Sequence, residues 1–302
     1  MALNSKLIPS LPNLDTVVQL PSNESGFVLH EKARRHYWEG TGLLSIKSFF
    51  NGQAFYNTGK GLYAVNDSSY LVLNDRQPYS ITIESERAVE SLCLFFKAEL
   101  AEDVFRSLNS KPEKLLDCTF TSSKSNINFF DKTYPHDEIL SPALLSIKSS
   151  FADRKNQPGW LEEQMHQVLQ LLLEVHQKTR QEALTINAVR PSTREELYRR
   201  LFRAKDFIVA SFDQPVTLKE MAGIACLSPN HFLRSFRQAF HQTPHQFLTS
   251  IRLDYARNAL VKTEQPVTDI CLCVGFESLG SFSRLFRRRF GLPPQEYRRL
   301  KR

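Results

Sequence analysis

Residues 281–290 read SFSRLFRRRF and hold four arginines, Arg284, Arg287, Arg288 and Arg289. A guanidinium is always charged and presents a planar fork of N–H donors that fits phosphate oxygens and the guanine edge. The chemistry on offer is therefore anion recognition. Phe282, Phe286 and Phe290 recur at i, i+4 and i+8, on one face of a helix, while Arg284, Arg287 and Arg288 fall on another. The spacing predicts an amphipathic helix with an apolar back and a cationic front. For a single helix, a merely solvated charged face is the competing interpretation.

A second copy shifts that balance. Fifty positions upstream, residues 231–240 read HFLRSFRQAF, and Phe232, Arg234, Phe236, Arg237 and Phe240 match Phe282, Arg284, Phe286, Arg287 and Phe290. His241, Pro244 and Phe247 continue the match with Gly291, Pro294 and Tyr297. Upstream, after a one-residue slip, Met221-Ala222 aligns with Ile270-Cys271 and Cys226 with Gly275. Two similar supersecondary units are expected, facing one partner.

Each unit reads as helix, tight turn, helix. Thr217 and Glu220 form a capping box for a short helix through about Cys226; Ser228 caps the next helix, with Pro229 at its first position. In the second unit Val267 to Val274 is the short helix, Gly275 the turn, Ser278 the cap, and Gly291 the end. This is a helix-turn-helix pattern, whose second helix enters the DNA major groove. Between the units, Thr243-Pro244 opens an apolar-periodic run through Phe247, Ile251, Tyr255 and Ala259, which predicts one helix over 244–262. At 1.5 Å per residue it is roughly 28 Å long, close to the about 34 Å between successive major-groove faces of B-DNA.

The stretches GFESLGSFSRLFRRRFGLPPQEYRR (275–299), SPNHFLRSFRQAF (228–240) and IRLDYARNAL (251–260) resemble the AraC/XylS family of bacterial transcription regulators. The resemblance implies a DNA-binding domain of two helix-turn-helix units joined by a long helix. It places base contacts at Asn230, Leu233 and Arg234 in the first unit, and at Leu279, Gly280, Ser281, Ser283 and Arg284 in the second. Arg237 and Arg287 become phosphate contacts. Cys226 and His241 stand where the family usually has glycine. Leu233 and Gly280 offer no side-chain hydrogen bond, so methyl contacts or DNA shape matter more there.

Charge divides the chain in the same place. The 302 residues carry a net +7; residues 191–302 hold 19 Lys and Arg against 10 Asp and Glu, a net +9, and the remainder is −2. A basic C-terminal third beside a near-neutral remainder fits a nucleic-acid arm on an ordinary domain. The expected division is 1–180 as a sensor and dimerisation domain, 181–192 as a linker and 193–302 as the DNA-binding domain. Five cysteines without framework spacing fit a reducing, cytoplasmic location. No secretory pattern or membrane-length apolar run is read.

The first hundred residues carry β-rich runs, TGLLSIKSFF, GLYAVN, SYLVLND, PYSITIE and SLCLFFK, punctuated by Asn51-Gly52, Asn57-Thr58-Gly59, Asn66-Asp67 and Asn74-Asp75. The order resembles the cupin-like N-terminal domain of many AraC-type proteins. The expected fold is thus α+β with two domains: a cupin-like β-barrel with trailing helices, then an all-α domain with two helix-turn-helix units. Helices are expected at 99–108, 141–151 and 159–180. In the last, Leu161, Met165, Val168, Leu172 and Val175 form a 4-3-4-3 seam that either packs on the barrel or makes a dimer contact.

The barrel suggests a small-molecule effector, with Phe55, Tyr63 and Tyr79 as candidate lining residues. A metal-dependent cupin enzyme fused to a DNA-binding domain is the alternative. That chemistry needs a cluster such as His-x-His with a carboxylate; His30, Glu31, His36 and Glu39 lack this spacing. No catalytic residue, metal or cofactor is expected. The expected partners are double-stranded DNA, an effector, a second copy of the chain and, for an activator, RNA polymerase.

Overall fold

The computed structural model describes residues 26–97, 100–101, 103–104, 128–157, 159–186 and 191–301. Seven strands form a nearly closed antiparallel barrel: β1 (Gly26–Thr41), β2 (Leu44–Phe50), β3 (Gln53–Asn57), β4 (Leu62–Asn66), β5 (Ser69–Leu73), β6 (Pro78–Phe96) and β7 (Thr133–Pro135). Their order is β4-β3-β6-β2-β5-β7, and β1 pairs along β6. The long β6 belongs to both curved halves. Its first part pairs with β3 (Phe55 opposite Thr82) and its second with β2 (Lys47 opposite Cys93).

All four sequence turns connect strands consecutive in the chain, though only β3 and β4 pair with each other directly. Asn51 and Gly59 supply the left-handed residues of the first two, with φ of 63° and 73°, and Arg76 supplies that of the last, with φ 56°. PYSITIE and SLCLFFK, read as separate runs, lie in one continuous strand. The sequence pattern did not reveal β1. Its segment GFVLHEKARRHYWEGT pairs on one side only and leaves most side chains partly or fully exposed, so it lacks the alternation that marks a half-buried strand.

Side chains of β2, β5 and β6 alternate between two cores. Leu44, Ile46, Tyr70, Val72, Leu92 and Leu94 face outward, under two helices, α1 (Ser141–Arg154) and α2 (Trp160–Leu184). The seam residues Met165, Val168, Leu172 and Val175 are all buried in that cluster. The seam therefore packs on the barrel and is not free for a second copy. Helix α2 also runs through Leu184, four residues into the segment expected as linker. The helix expected at 99–108 lies largely outside the described residues. Among the described residues, no helix is long and apolar enough to cross a membrane.

The C-terminal region is helical: α3 (Pro191–Ala210), α4 (Leu218–Ile224), α5 (Pro229–Phe240), α6 (Pro244–Lys262), α7 (Val267–Cys273), α8 (Leu279–Phe290) and α9 (Pro294–Lys301). The first unit (α4, α5) is built on α3, Leu201, Ala204, Ile208, Met221, Ala222, Phe232 and Phe236 sharing one core. The second (α7, α8) has its own, around Ile270, Cys271, Phe282 and Phe286. Helix α6 serves both, giving Phe247 and Leu248 to the first and Leu253, Ala256 and Leu260 to the second. Helix α9 was not anticipated, although the match of Pro294 with Pro244, which opens α6, marked its start.

Candidate nucleic-acid interface

The two units repeat in detail. Ser228 and Ser278 each cap a helix by accepting the N–H three residues on, from His231 and Ser281, both at 3.4 Å. The turn N–H of Leu227 donates to Ala222 O at 2.9 Å, and that of Phe276 to Cys271 O at 3.0 Å. Phe232 and Phe236 stack edge to face at 5.3 Å, their counterparts Phe282 and Phe286 tilt together at 5.6 Å, and all four are fully buried. Burying these rings fixes the rotation of α5 and α8 about their axes, so the arginines must face out.

They do. Arg234 and Arg237 on α5, and Arg284, Arg287 and Arg288 on α8, are exposed and make no hydrogen bond or ion pair among the described residues. Arg289 differs: its guanidinium donates to Asp254 Oδ2 at 2.7 Å, tying α8 to α6. Ser283, Arg284, Arg287 and Arg288 line a shallow groove closed by Gly291 and Pro293. Of the other positions expected to read bases, Asn230, Leu279 and Gly280 are exposed, while Leu233, Ser281 and Ser283 are half-buried. Arg288 was outside the expected contact set, though it shares the groove with Arg284 and Arg287.

Arg252 holds the units together. From α6, its Nε donates to Phe212 O at 2.7 Å and its Nη2 to Gln214 O at 2.8 Å, at the end of α3. It also lies against the turn of the second unit, where a Cβ at Gly275 would meet its guanidinium at 2.8 Å. The spacing and rotation of α5 and α8 are thus set by α6 and by this anchor.

The barrel joins this arm through α3. Thr133 N donates to Asp206 Oδ2 at 3.0 Å; Lys132 Nζ donates to Tyr198 OH at 2.9 Å, and that hydroxyl to Glu182 at 3.1 Å. Arg199 donates to Phe129 O and Asn128 O at 3.0 and 3.1 Å. Burial pushes the Asp206 carboxyl up to about 6 and the Lys132 ammonium down to about 8. Of the candidate effector residues, Tyr63 and Tyr79 belong to the inner barrel cluster. Phe55 is on the opposite face of β3 from Ala54 and Tyr56, which do point inward. His30, one of the residues weighed for metal, hydrogen-bonds Glu90 at 2.8 Å, and Lys148 pairs with the same carboxylate at 3.1 Å.

A family description, helix-turn-helix domain, matches residues 221–300. Regulatory protein SoxS of Salmonella typhimurium (strain LT2) is 36% identical over 93 residues, which are 31% of this chain and 87% of that protein. The chain belongs to the AraC/XylS family. A longer relative in the comparison is the melibiose operon regulatory protein of Escherichia coli (strain K12), 32% identical over 94 residues, 31% of each chain. The match thus spans about a third of that protein's length. A solved AraC-type transcriptional regulator from Chromobacterium violaceum is 27% identical, covering 34% of this chain and 91% of its own, with a TM-score of 0.33. Family membership accounts for the two units on one long helix; the barrel lies outside these matched segments.

Proposed function

We propose that this protein is a sequence-specific transcription regulator that binds double-stranded DNA through α5 and α8. The observation that carries this reading is the pair of unpaired arginine faces, held at fixed rotation on one helix. In this reading Arg234 and Arg284 contact base edges, together with Asn230, Leu279, Ser281 and Ser283, while Leu233 and Gly280 lie against the duplex without side-chain hydrogen bonds. Arg237 and Arg287 hold phosphates, and Arg288 joins them. The function is binding rather than catalysis. A small effector in the barrel, near Tyr63 and Tyr79, would act on the arm through the Thr133–Asp206 and Lys132–Tyr198 contacts. The homodimer expected of the family would form through a surface other than the apolar seam of α2; an activating form would also contact RNA polymerase.

Mobility-shift titration with cognate and scrambled duplexes over a range of salt tests the reading. Each phosphate contact contributes about −0.9 to the slope of log affinity against log salt. A cognate preference with a steep slope is expected. A flat slope, or equal affinity for both duplexes, would count against it.

A further inference from the structure

A cavity of about 410 Å³ opens where the end of α2, the middle of α3 and the C-terminal half of α5 meet. That volume falls within the about 300–1,000 Å³ of small-molecule sites. Its apolar wall is aromatic. The Tyr198 and Phe202 rings stack at 4.2 Å, and Phe240 meets Phe202 edge to face at 5.1 Å. Tyr198 and Ser235 are buried, while Glu182, Gln238 and His241 are exposed, so the cavity has a floor and an open rim.

Opposite charges line this cavity without meeting. Glu182 comes from α2 and Lys205 from α3, and the two form no ion pair. The Glu182 carboxylate accepts from the Tyr198 hydroxyl at 3.1 Å and keeps capacity for further donors. The Lys205 ammonium lies 5.0 Å from the centre of the Phe202 ring and 5.3 Å from that of Phe240. It makes no hydrogen bond or ion pair among the described residues. Ring faces attract a cation but leave its N–H donors without acceptors. From α5, the Ser235 hydroxyl lines the same space and makes no hydrogen bond among the described residues.

We infer that this cavity binds a free α-amino acid with an apolar side chain, its ammonium at Glu182, its carboxylate at Lys205 and Ser235, and its side chain on the Tyr198, Phe202 and Phe240 rings. A simple anion would meet the Glu182 charge, and a simple cation the Lys205 charge; a zwitterion meets a complementary charge at each end. The aromatic wall supplies apolar contact, and the two charges fix orientation, as in small-molecule sites generally. The site lies outside the barrel and is independent of the effector reading above. Because α2 packs on the barrel and α5 is a reading helix, the ligand would bridge the barrel side and the first DNA-binding unit.

The test uses the full chain and four probes at neutral pH and equal ionic strength. L-Phenylalanine and L-leucine are the zwitterions, hydrocinnamate lacks the ammonium, and phenethylamine lacks the carboxylate. Both amino acids should raise the unfolding temperature. By titration calorimetry, phenylalanine should bind at least about tenfold more tightly than either single-charge analogue. Glu182→Gln should weaken phenylalanine at least about tenfold and leave hydrocinnamate unweakened; Lys205→Gln should weaken phenylalanine as much and leave phenethylamine unweakened. Failure of both amino acids to bind the unaltered protein would overturn the proposal, as would equal affinity for phenylalanine and either analogue, whether or not the variants fold. Undiminished phenylalanine binding by either variant would also overturn it, placing the ligand outside this cavity. Mobility shifts of the unaltered protein without these probes test DNA binding separately.

Discussion

Cys226 and Gly275 hold the same left-handed turn in the two repeated units, with φ of 52° and 85°. His241 and Gly291 repeat the relationship at the ends of α5 and α8, with φ of 56° and 83°. In both cases the first unit bears a Cβ where the second has none. A left-handed residue other than glycine costs roughly 1 kcal/mol. Cys226→Gly and His241→Gly should each stabilise the protein by about that amount, measured as a higher urea midpoint at unchanged slope. A loss in either would mean that the side chain makes a compensating contact.

The reverse change should be harmful at Gly275. An added Cβ would lie 2.9 Å from Asp213 O and 2.8 Å from the Arg252 guanidinium. Gly275→Ala should therefore destabilise by more than the turn strain alone, above about 1 kcal/mol. Arg252→Ala should act on the same joint, freeing Phe212 O and Gln214 O. It should reduce DNA affinity although Arg252 is not among the residues proposed to touch DNA. Unchanged affinity would show that α6 alone fixes the units.

Much of this arm was legible in the sequence because the repeat compared each position with its counterpart. The caps Thr217, Ser228 and Ser278, the span 244–262 and the left-handed turns all lie where the spacing put them. Long-range partners were not legible. Nothing in the sequence paired Arg289 with Asp254, or Asp206 with Thr133 across 73 positions. Strand β1 was hidden by its exposed edge. Lys47 was hidden by its neighbours: in LLSIKSFF, alternation could not show that the lysine, rather than the residues beside it, faces the barrel interior.

Acid should weaken the fold through His176. This side chain on α2 meets the rings of Phe129 and Phe130 at 5.0 and 5.6 Å, and its Nδ1 is buried without a partner. Burial first, then the nearby Arg199 and Arg180 charges, push it down to about 4. The unfolded chain takes up this proton near pH 6.5. The stability from keeping His176 neutral is thus fully present above about 6.5 and is lost as pH falls towards about 4. His176→Leu should flatten that part of the pH profile, followed by urea denaturation in half-unit steps. Parallel profiles would remove His176 from the account.

Arg284 and Arg287 should separate by role. Arg284→Ala should cost about 1–3 kcal/mol on the cognate duplex and relax preference at one base pair. Arg287→Ala should weaken all duplexes alike and reduce the salt slope by about one. Affinities over a salt series on single-base variants of the site measure both. Identical behaviour of the two variants would contradict the division into base and phosphate contacts.

Helices α5 and α8, fixed by α6, are expected to occupy two successive major grooves on one side of the duplex. Guanine-methylation interference tests this directly, with the unaltered protein, Arg234→Ala and Arg284→Ala. The unaltered protein should give two clusters of interference about one helical turn, or 10 bp, apart. Arg234→Ala should lose one cluster and Arg284→Ala the other. A single cluster, or loss of the same cluster in both variants, would contradict the account.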